Sequence, residues 1–97
     1  MVKRIVKMTF REACVGDFLV LFEKYKAQIR HAEGCLSLEL LQAHEPGNVF
    51  FTYSFWDDPG YLEQYRRSEV FAVVWPQTKS YFALPAEAWT VNVLHHL

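Results

Sequence analysis

The chain has almost no net charge. Ten Lys and Arg stand against eleven Asp and Glu over 97 residues. Lys3, Arg4 and Lys7 are too few for a basic stripe, so no nucleic-acid partner is expected. Long hydrophobic runs are missing too. None approaches the roughly 18 residues of a membrane span, and no membrane association is expected. The N-terminal MVKRIVKMTF has neither the apolar region nor the small-residue cleavage site of a signal peptide, so the expected location is cytoplasmic. Cysteine is scarce. Cys14 and Cys35 lack metal-ligand spacing and flank a predicted helix of about 16 residues, roughly 24 Å long, too far for a disulfide unless the chain doubles back. Two reduced thiols are expected, with nothing placed to hold a thiolate at Cys14. His31, His44, His95 and His96 have no second ligand at metal-binding spacing, so no metal site is expected. No paired carboxylates support a two-acid mechanism. There is no Ser-His-Asp order, phosphate-binding glycine loop or dinucleotide motif. Repeats, linkers and low-complexity segments are absent, and the length suits one domain over residues 1–97.

What is present is aromatic. Between Val49 and Phe82 stand Phe50, Phe51, Tyr53, Phe55, Trp56, Tyr61, Tyr65, Phe71, Trp75, Tyr81 and Phe82. So many rings make either a dense core or an aromatic-lined pocket.

Periodicity orders the chain. Arg4 to Phe10 alternates as a strand, with Val6, Met8 and Phe10 on one side and Ile5, Lys7 and Thr9 on the other. Gly16 and Asp17 open a helix with Val15, Phe18, Leu19, Phe22, Tyr25 and Ile29 on its apolar stripe. Gly34 is placed to end that helix in a left-handed cap. Leu36, Leu38 and Leu40 alternate as a half-buried strand. Glu45-Pro46-Gly47-Asn48 is a turn that makes a hairpin with Val49–Trp56. Asp57 or Asp58 caps a short helix with Pro59 in its first turn. Ser68 starts a further helix, with Glu69 at its dipole-favoured end. Pro76 should kink or break that helix, and Leu84-Pro85 should close it. Glu87–His95 reads as a last strand, with Trp89, Val91 and Val93 on one face.

The order β-α-β-β-α-β is the ferredoxin-like plan, an α+β fold with a four-stranded antiparallel sheet and both helical regions on one face. Val49–Trp56 carries large rings on both faces: Val49, Phe51, Tyr53 and Phe55 on one, Phe50, Thr52, Ser54 and Trp56 on the other. A half-solvated antiparallel sheet alternates more cleanly. The uncovered face is therefore expected to pack on a second copy as a homodimer.

At this point the chain resembles the antibiotic biosynthesis monooxygenase family, the dimeric α/β-barrel proteins. The resemblance rests on EGCLSLEL (Glu33–Leu40), on FTYSFWDDPGYLEQYRRSEVF (Phe51–Phe71) and on the spacing between elements. The family pattern has Gly-Cys opening the second strand, Trp ending the third, and Ser followed shortly by Phe in the last helix. Here these are Gly34-Cys35, Trp56, and Ser68 with Phe71. The resemblance implies quinone-forming monooxygenation without a cofactor, haem degradation, or an unassigned activity, because a shared fold does not fix the reaction. Many members have a His in the short helix about where Tyr65 stands. The haem-degrading branch has an Asn on the first strand, a Trp in the short helix and an iron-ligating His in the last helix. The corresponding positions are Val6, Tyr65 and Trp75, which offer no axial nitrogen, so haem is not expected and no cofactor is invoked. The cofactor-free members pair the strand-end Trp with an Asn; Trp56 matches the first and Thr52 stands where the second would be.

On this reading the candidate catalytic residues are Trp56, Tyr65 and Tyr53, with Thr52, Tyr61, Phe71 and Trp75 as substrate contacts. Trp56 either walls a pocket and donates its indole N–H to a substrate oxygen, or closes the core. Tyr53, Tyr61 and Tyr65 either donate to a phenolate or quinone oxygen, or pack. Trp75 is at helical spacing from Phe71 and can stack on it as core. The expected function is a cofactor-independent monooxygenase acting on a small aromatic or polycyclic compound. Oxygen would react directly with the ionised substrate while the protein supplies desolvation, orientation and hydrogen bonds. The alternative is a non-catalytic dimeric module for small-molecule binding or assembly. A cavity with convergent polar groups would favour the enzyme; rings filling that space would favour the module.

Overall fold

The computed structural model describes residues Met1–Leu97. Strand β1 (Val2–Thr9) leads through a 3₁₀ turn at Glu12–Cys14 into helix α1 (Val15–Arg30). Then come strands β2 (Cys35–Gln42) and β3 (Val49–Trp56), helices α2 (Pro59–Arg66) and α3 (Glu69–Lys79), and strand β4 (Glu87–Asn92). The sheet is antiparallel, ordered β2-β3-β1-β4. This is the ferredoxin-like α+β arrangement, and the sheet is open rather than closed on itself.

Local chemistry sets most boundaries. Gly34 has φ 80°, the left-handed conformation that ends α1 without a Cβ clash. Of the two aspartates ahead of α2, Asp58 is the cap, accepting from Gly60 N at 2.8 Å with Pro59 in the first turn. Ser68 caps α3 by accepting from Phe71 N at 3.2 Å.

Several expectations are corrected. Pro76 neither breaks nor ends α3, which runs unbroken to Lys79. The N–H missing at Pro76 costs Ala72 O its helical partner, but Ala72 is exposed, so water can reach the freed carbonyl. Beyond the proline, Thr78 Oγ1 donates to Val74 O at 2.7 Å and Ser80 N to Pro76 O at 3.1 Å. The helix therefore stops at Ser80 rather than Leu84-Pro85, because Phe82 is drawn into a bridge with Phe10. In α1 the inward residues are Phe18, Leu21 and Ile29, while Leu19 faces solvent. In β2 a bulge between Cys35 and Ser37 buries Cys35 and turns Leu36 outward. Strand β4 stops at Asn92, so Val93 lies beyond it, and every residue of β4 is exposed.

The helices cover one face, where two apolar clusters sit at opposite ends. Met8, Phe10, Phe18 and Phe50 form one, with Phe10 fully buried. Its ring stacks on Phe18 at 4.2 Å and meets Phe50 and Phe82 at 5.7 and 5.3 Å. Val2, Cys35, Trp56 and Leu62 form the other. The uncovered face is a grid of three rows across the strands. Leu41, Phe51, Lys7 and Glu87 form the first; Glu39, Tyr53, Ile5 and Trp89 the second; Ser37, Phe55, Lys3 and Val91 the third.

Candidate functional site

Register explains why a cavity opens between the clusters. On the covered face of β3 the large side chains Phe50 and Trp56 stand at the ends, with Thr52 and Ser54 between them. Thr52 lies beside Leu40 on β2 and Val6 on β1; Ser54 lies beside Leu38 and Arg4. Two short hydroxyl side chains leave space that the helices above do not fill. The resulting cavity, about 140 Å³, has Thr52, Ser54, Val6 and Arg4 below, Phe18, Leu21, Phe22 and Ile29 from α1 above, and Trp56, Leu62, Tyr65, Phe71, Val74 and Trp75 along one side.

That side is a continuous series of rings. Trp56 stacks on Tyr65 at 5.4 Å, Tyr65 meets Phe71 edge-on at 5.4 Å, and Phe71 stacks on Trp75 at 5.9 Å. Trp75 then meets Phe82 at 5.8 Å, joining the wall to the Phe10 cluster. Offset and edge-on contacts of this kind suit the quadrupoles of the rings. Cap placement sets the geometry: Asp58 starts α2 so that Leu62 and Tyr65 face the sheet, and Ser68 starts α3 so that Phe71, Val74 and Trp75 do.

The expected site residues divide into two groups. Trp56, Tyr65, Thr52, Phe71 and Trp75 come together around the cavity. Tyr53 does not. It projects from the uncovered face, where Lys3 Nζ stands 4.8 Å from its ring centre and donates to its hydroxyl at 3.4 Å. Tyr61 is also outside. Its ring lies against Gly34, where an added Cβ would run into it, and it borders a second pocket of about 180 Å³ with Gln28, Glu33 and Gln64, which meets the first only at Tyr65.

The role expected of Trp56 also changes. The side chain is only 1 % exposed, and its indole Nε1–H donates to Ser54 Oγ at 2.9 Å. A buried indole needs an acceptor, and Ser54, two residues away on the same face, supplies it. The ring thus contributes a wall to the cavity while its donor is already engaged. Tyr65 keeps a polar role open. Burial foremost, then the charge of Cys35, pushes its phenol up to about 12, so it stays protonated and able to donate near neutral pH. Burial likewise raises the Cys35 thiol, with Arg30 opposing. No His, Cys, Asp or Glu lines the cavity, and no three such side chains cluster anywhere as a metal site.

Arg4 and Arg66 line the cavity and were missing from the expected set. The signal for Arg4 was available: it shares its face of β1 with Val2, Val6 and Met8, and a charge in an apolar row is unusual. Arg66 sits in the last turn of α2, and only the fold brings it beside the first strand.

The open antiparallel sheet, the one-sided helical layer and the cavity between them define a ferredoxin-like α+β domain. The family profile described as antibiotic biosynthesis monooxygenase matches residues 1–74, and the chain belongs to that family. Solved structures agree on the fold. A conserved protein from Methanosarcina mazei Go1 has a TM-score of 0.89 at 21% identity, with 93% of this chain and 89% of that chain covered. A structure described as antibiotic biosynthesis monooxygenase has a TM-score of 0.91 at 17% identity, covering 98% and 100%. Rv0793 from Mycobacterium tuberculosis has 0.90 at 17% identity, covering 98% and 96%. At such identities the likeness establishes the fold. No curated protein matches the chain significantly.

Proposed function

We propose that the cavity binds a single-ring aromatic compound and that the protein acts on it as a cofactor-independent monooxygenase. The observation that carries this reading is the gap over Thr52 and Ser54, walled by Trp56, Tyr65, Phe71 and Trp75. Its volume of about 140 Å³ is close to the roughly 150 Å³ of an engineered apolar cavity that takes up benzene. That volume matches one ring. In the proposed reaction a phenol enters as its phenolate and reacts with O₂. One oxygen atom ends on a ring carbon, the other leaves as water, and the ring supplies all four electrons in becoming a quinone. The apolar walls exclude water and orient the ring, Tyr65 donates a hydrogen bond to the developing quinone oxygen, and the Thr52 hydroxyl is a second polar contact. A second copy covers the uncovered sheet face, where Phe51, Tyr53, Phe55, Ile5 and Trp89 are too much apolar surface for a free monomer.

Ligand binding without turnover is the second reading. It is favoured by the engagement of the Trp56 donor with Ser54 and by the position of Tyr53 on the opposite face. Thr52→Leu tests the shared premise by filling the cavity. Phenol should quench the tryptophan fluorescence of the wild type, and the variant should lose that response at least tenfold while its thermal unfolding is little changed. Equal binding by both proteins would place the ligand elsewhere. Oxygen uptake with phenol, at one quinone formed per O₂ consumed, then separates turnover from storage.

A further inference from the structure

Arg4 and Arg66 take no part in the reading above beyond lining the cavity. Arg4 rises from the central strand β1, between Ser54 on β3 and Thr90 on β4. Its only side-chain partner is Thr90 Oγ1, at 2.9 Å, and no carboxylate pairs with it. Arg66 reaches the same cavity from α2 and pairs with Glu63 Oε1 at 3.1 Å. Burial, and next the positive charge of Arg66, hold Arg4 below its ordinary value, with Glu63 pulling the other way. Arg4 and Arg66 line one and the same cavity, so the two guanidiniums share it. Both remain cations, since arginine does not lose its proton in proteins. The other titratable group in the lining, Tyr65, is neutral until about pH 12. With Glu63 set against Arg66, the cavity end carries about one uncompensated positive charge, and Arg4 keeps free N–H donors.

Two guanidiniums with only one carboxylate set against them, beside an apolar ring site, are poorly arranged for a neutral ligand. They are well arranged for an anion, because a guanidinium offers two parallel donors and charge-assisted hydrogen bonds strengthen where water is partly excluded. We propose that Arg4 and Arg66 form an anion subsite that makes the cavity select an ionised single-ring aromatic, a phenolate, over its neutral form. The proposal rests on the reading that the cavity takes one ring. It adds a consequence: the protein lowers the pH at which its bound phenol ionises.

The test uses 4-nitrophenol, whose phenolate is yellow, and 4-nitroanisole, which has the same ring but cannot ionise. Bound 4-nitrophenol should ionise about one pH unit below the free compound, corresponding to about tenfold tighter binding of phenolate than phenol. Arg66→Gln leaves Glu63 facing Arg4 alone and should erase the shift. Glu63→Gln removes the opposing carboxylate from an exposed position and should enlarge it. These two exposed substitutions keep the test clear of the central strand. If both probes bind but 4-nitrophenol ionises as it does in water, and neither variant changes that, the anion subsite is overturned while the ring site stands. If neither probe binds the wild type, the ring site itself fails and the subsite falls with it.

Discussion

The two faces of β3 are built from the same kinds of residue and end in different places. Facing the helices, Phe50 and Trp56 stand apart with Thr52 and Ser54 between them. Facing away, Phe51, Tyr53 and Phe55 follow one another without a gap. The first arrangement leaves a cavity that the helices bridge. The second leaves a surface, tightened by Lys3 lying over Tyr53 and Phe55 at 4.8 and 5.5 Å. Two hydroxyl side chains in place of two rings separate the proposed ring site from the proposed dimer face. The cavity on the covered face comes from what is missing from the packing; the other face presents a continuous surface.

The comparison breaks most visibly on the uncovered face. Phe55 stands directly opposite Lys3 across the β1–β3 ladder. Phe55→Lys places like charges side by side and, in a dimer, buries a charge without a partner, a cost of about 3–5 kcal/mol. The expected outcome is a homodimeric wild type and a monomeric variant in sedimentation, with the same circular dichroism. A wild type that is already monomeric at micromolar concentration would remove the reason for calling this face an interface.

Local and non-local features were unequally legible in the sequence. The bounds of β3, the Ser68 cap and the left-handed Gly34 follow from neighbours within a few residues, and the sequence shows them. Leu19, Leu36 and Pro76 depend on tertiary context: which side of a helix meets the sheet, where a bulge resets alternation, and whether a freed carbonyl reaches water. Parity along β3 was readable and decides more than aromatic content does. Tyr53 and Trp56 are three residues apart on one strand, so a period of two puts them on opposite faces. Their grouping in one site fails on that ground alone. Arg66 was not readable, because its meeting with Arg4 is made only by the packing of α2 over the first strand.

A smaller effect sharpens the covered face. The Tyr65 phenol is raised from 10.0 to about 12, chiefly by burial. Above pH 10 the unfolded chain releases this proton while the folded chain retains it. Stability should therefore be insensitive to Tyr65 below pH 10 and fall as pH rises from 10 towards 12, by about 2–3 kcal/mol in all. Tyr65→Phe should remove this share of the alkaline loss in urea unfolding at successive pH values. Identical slopes in wild type and variant would mean that Tyr65 is more solvated than its contacts with Trp56 and Phe71 imply.

The smallest effect concerns the single hydrogen bond that changes the role of Trp56. Ser54 is buried and its Oγ accepts the indole N–H at 2.9 Å. Ser54→Ala leaves that N–H buried without an acceptor, which costs about 1–2 kcal/mol. Ser54→Thr keeps the hydroxyl and adds one methyl, so it should recover most of the loss. Urea unfolding of the two variants at neutral pH measures this directly. If Ser54→Ala changes stability by less than about 0.5 kcal/mol, the indole has another acceptor within reach. Phenol binding then decides which: weaker binding in Trp56→Phe than in Ser54→Ala would return the indole donor to the ligand. If instead Ser54→Ala is destabilised as expected and both variants bind phenol alike, Trp56 acts on the cavity only as a wall, and Tyr65 is the aromatic donor left to serve the site.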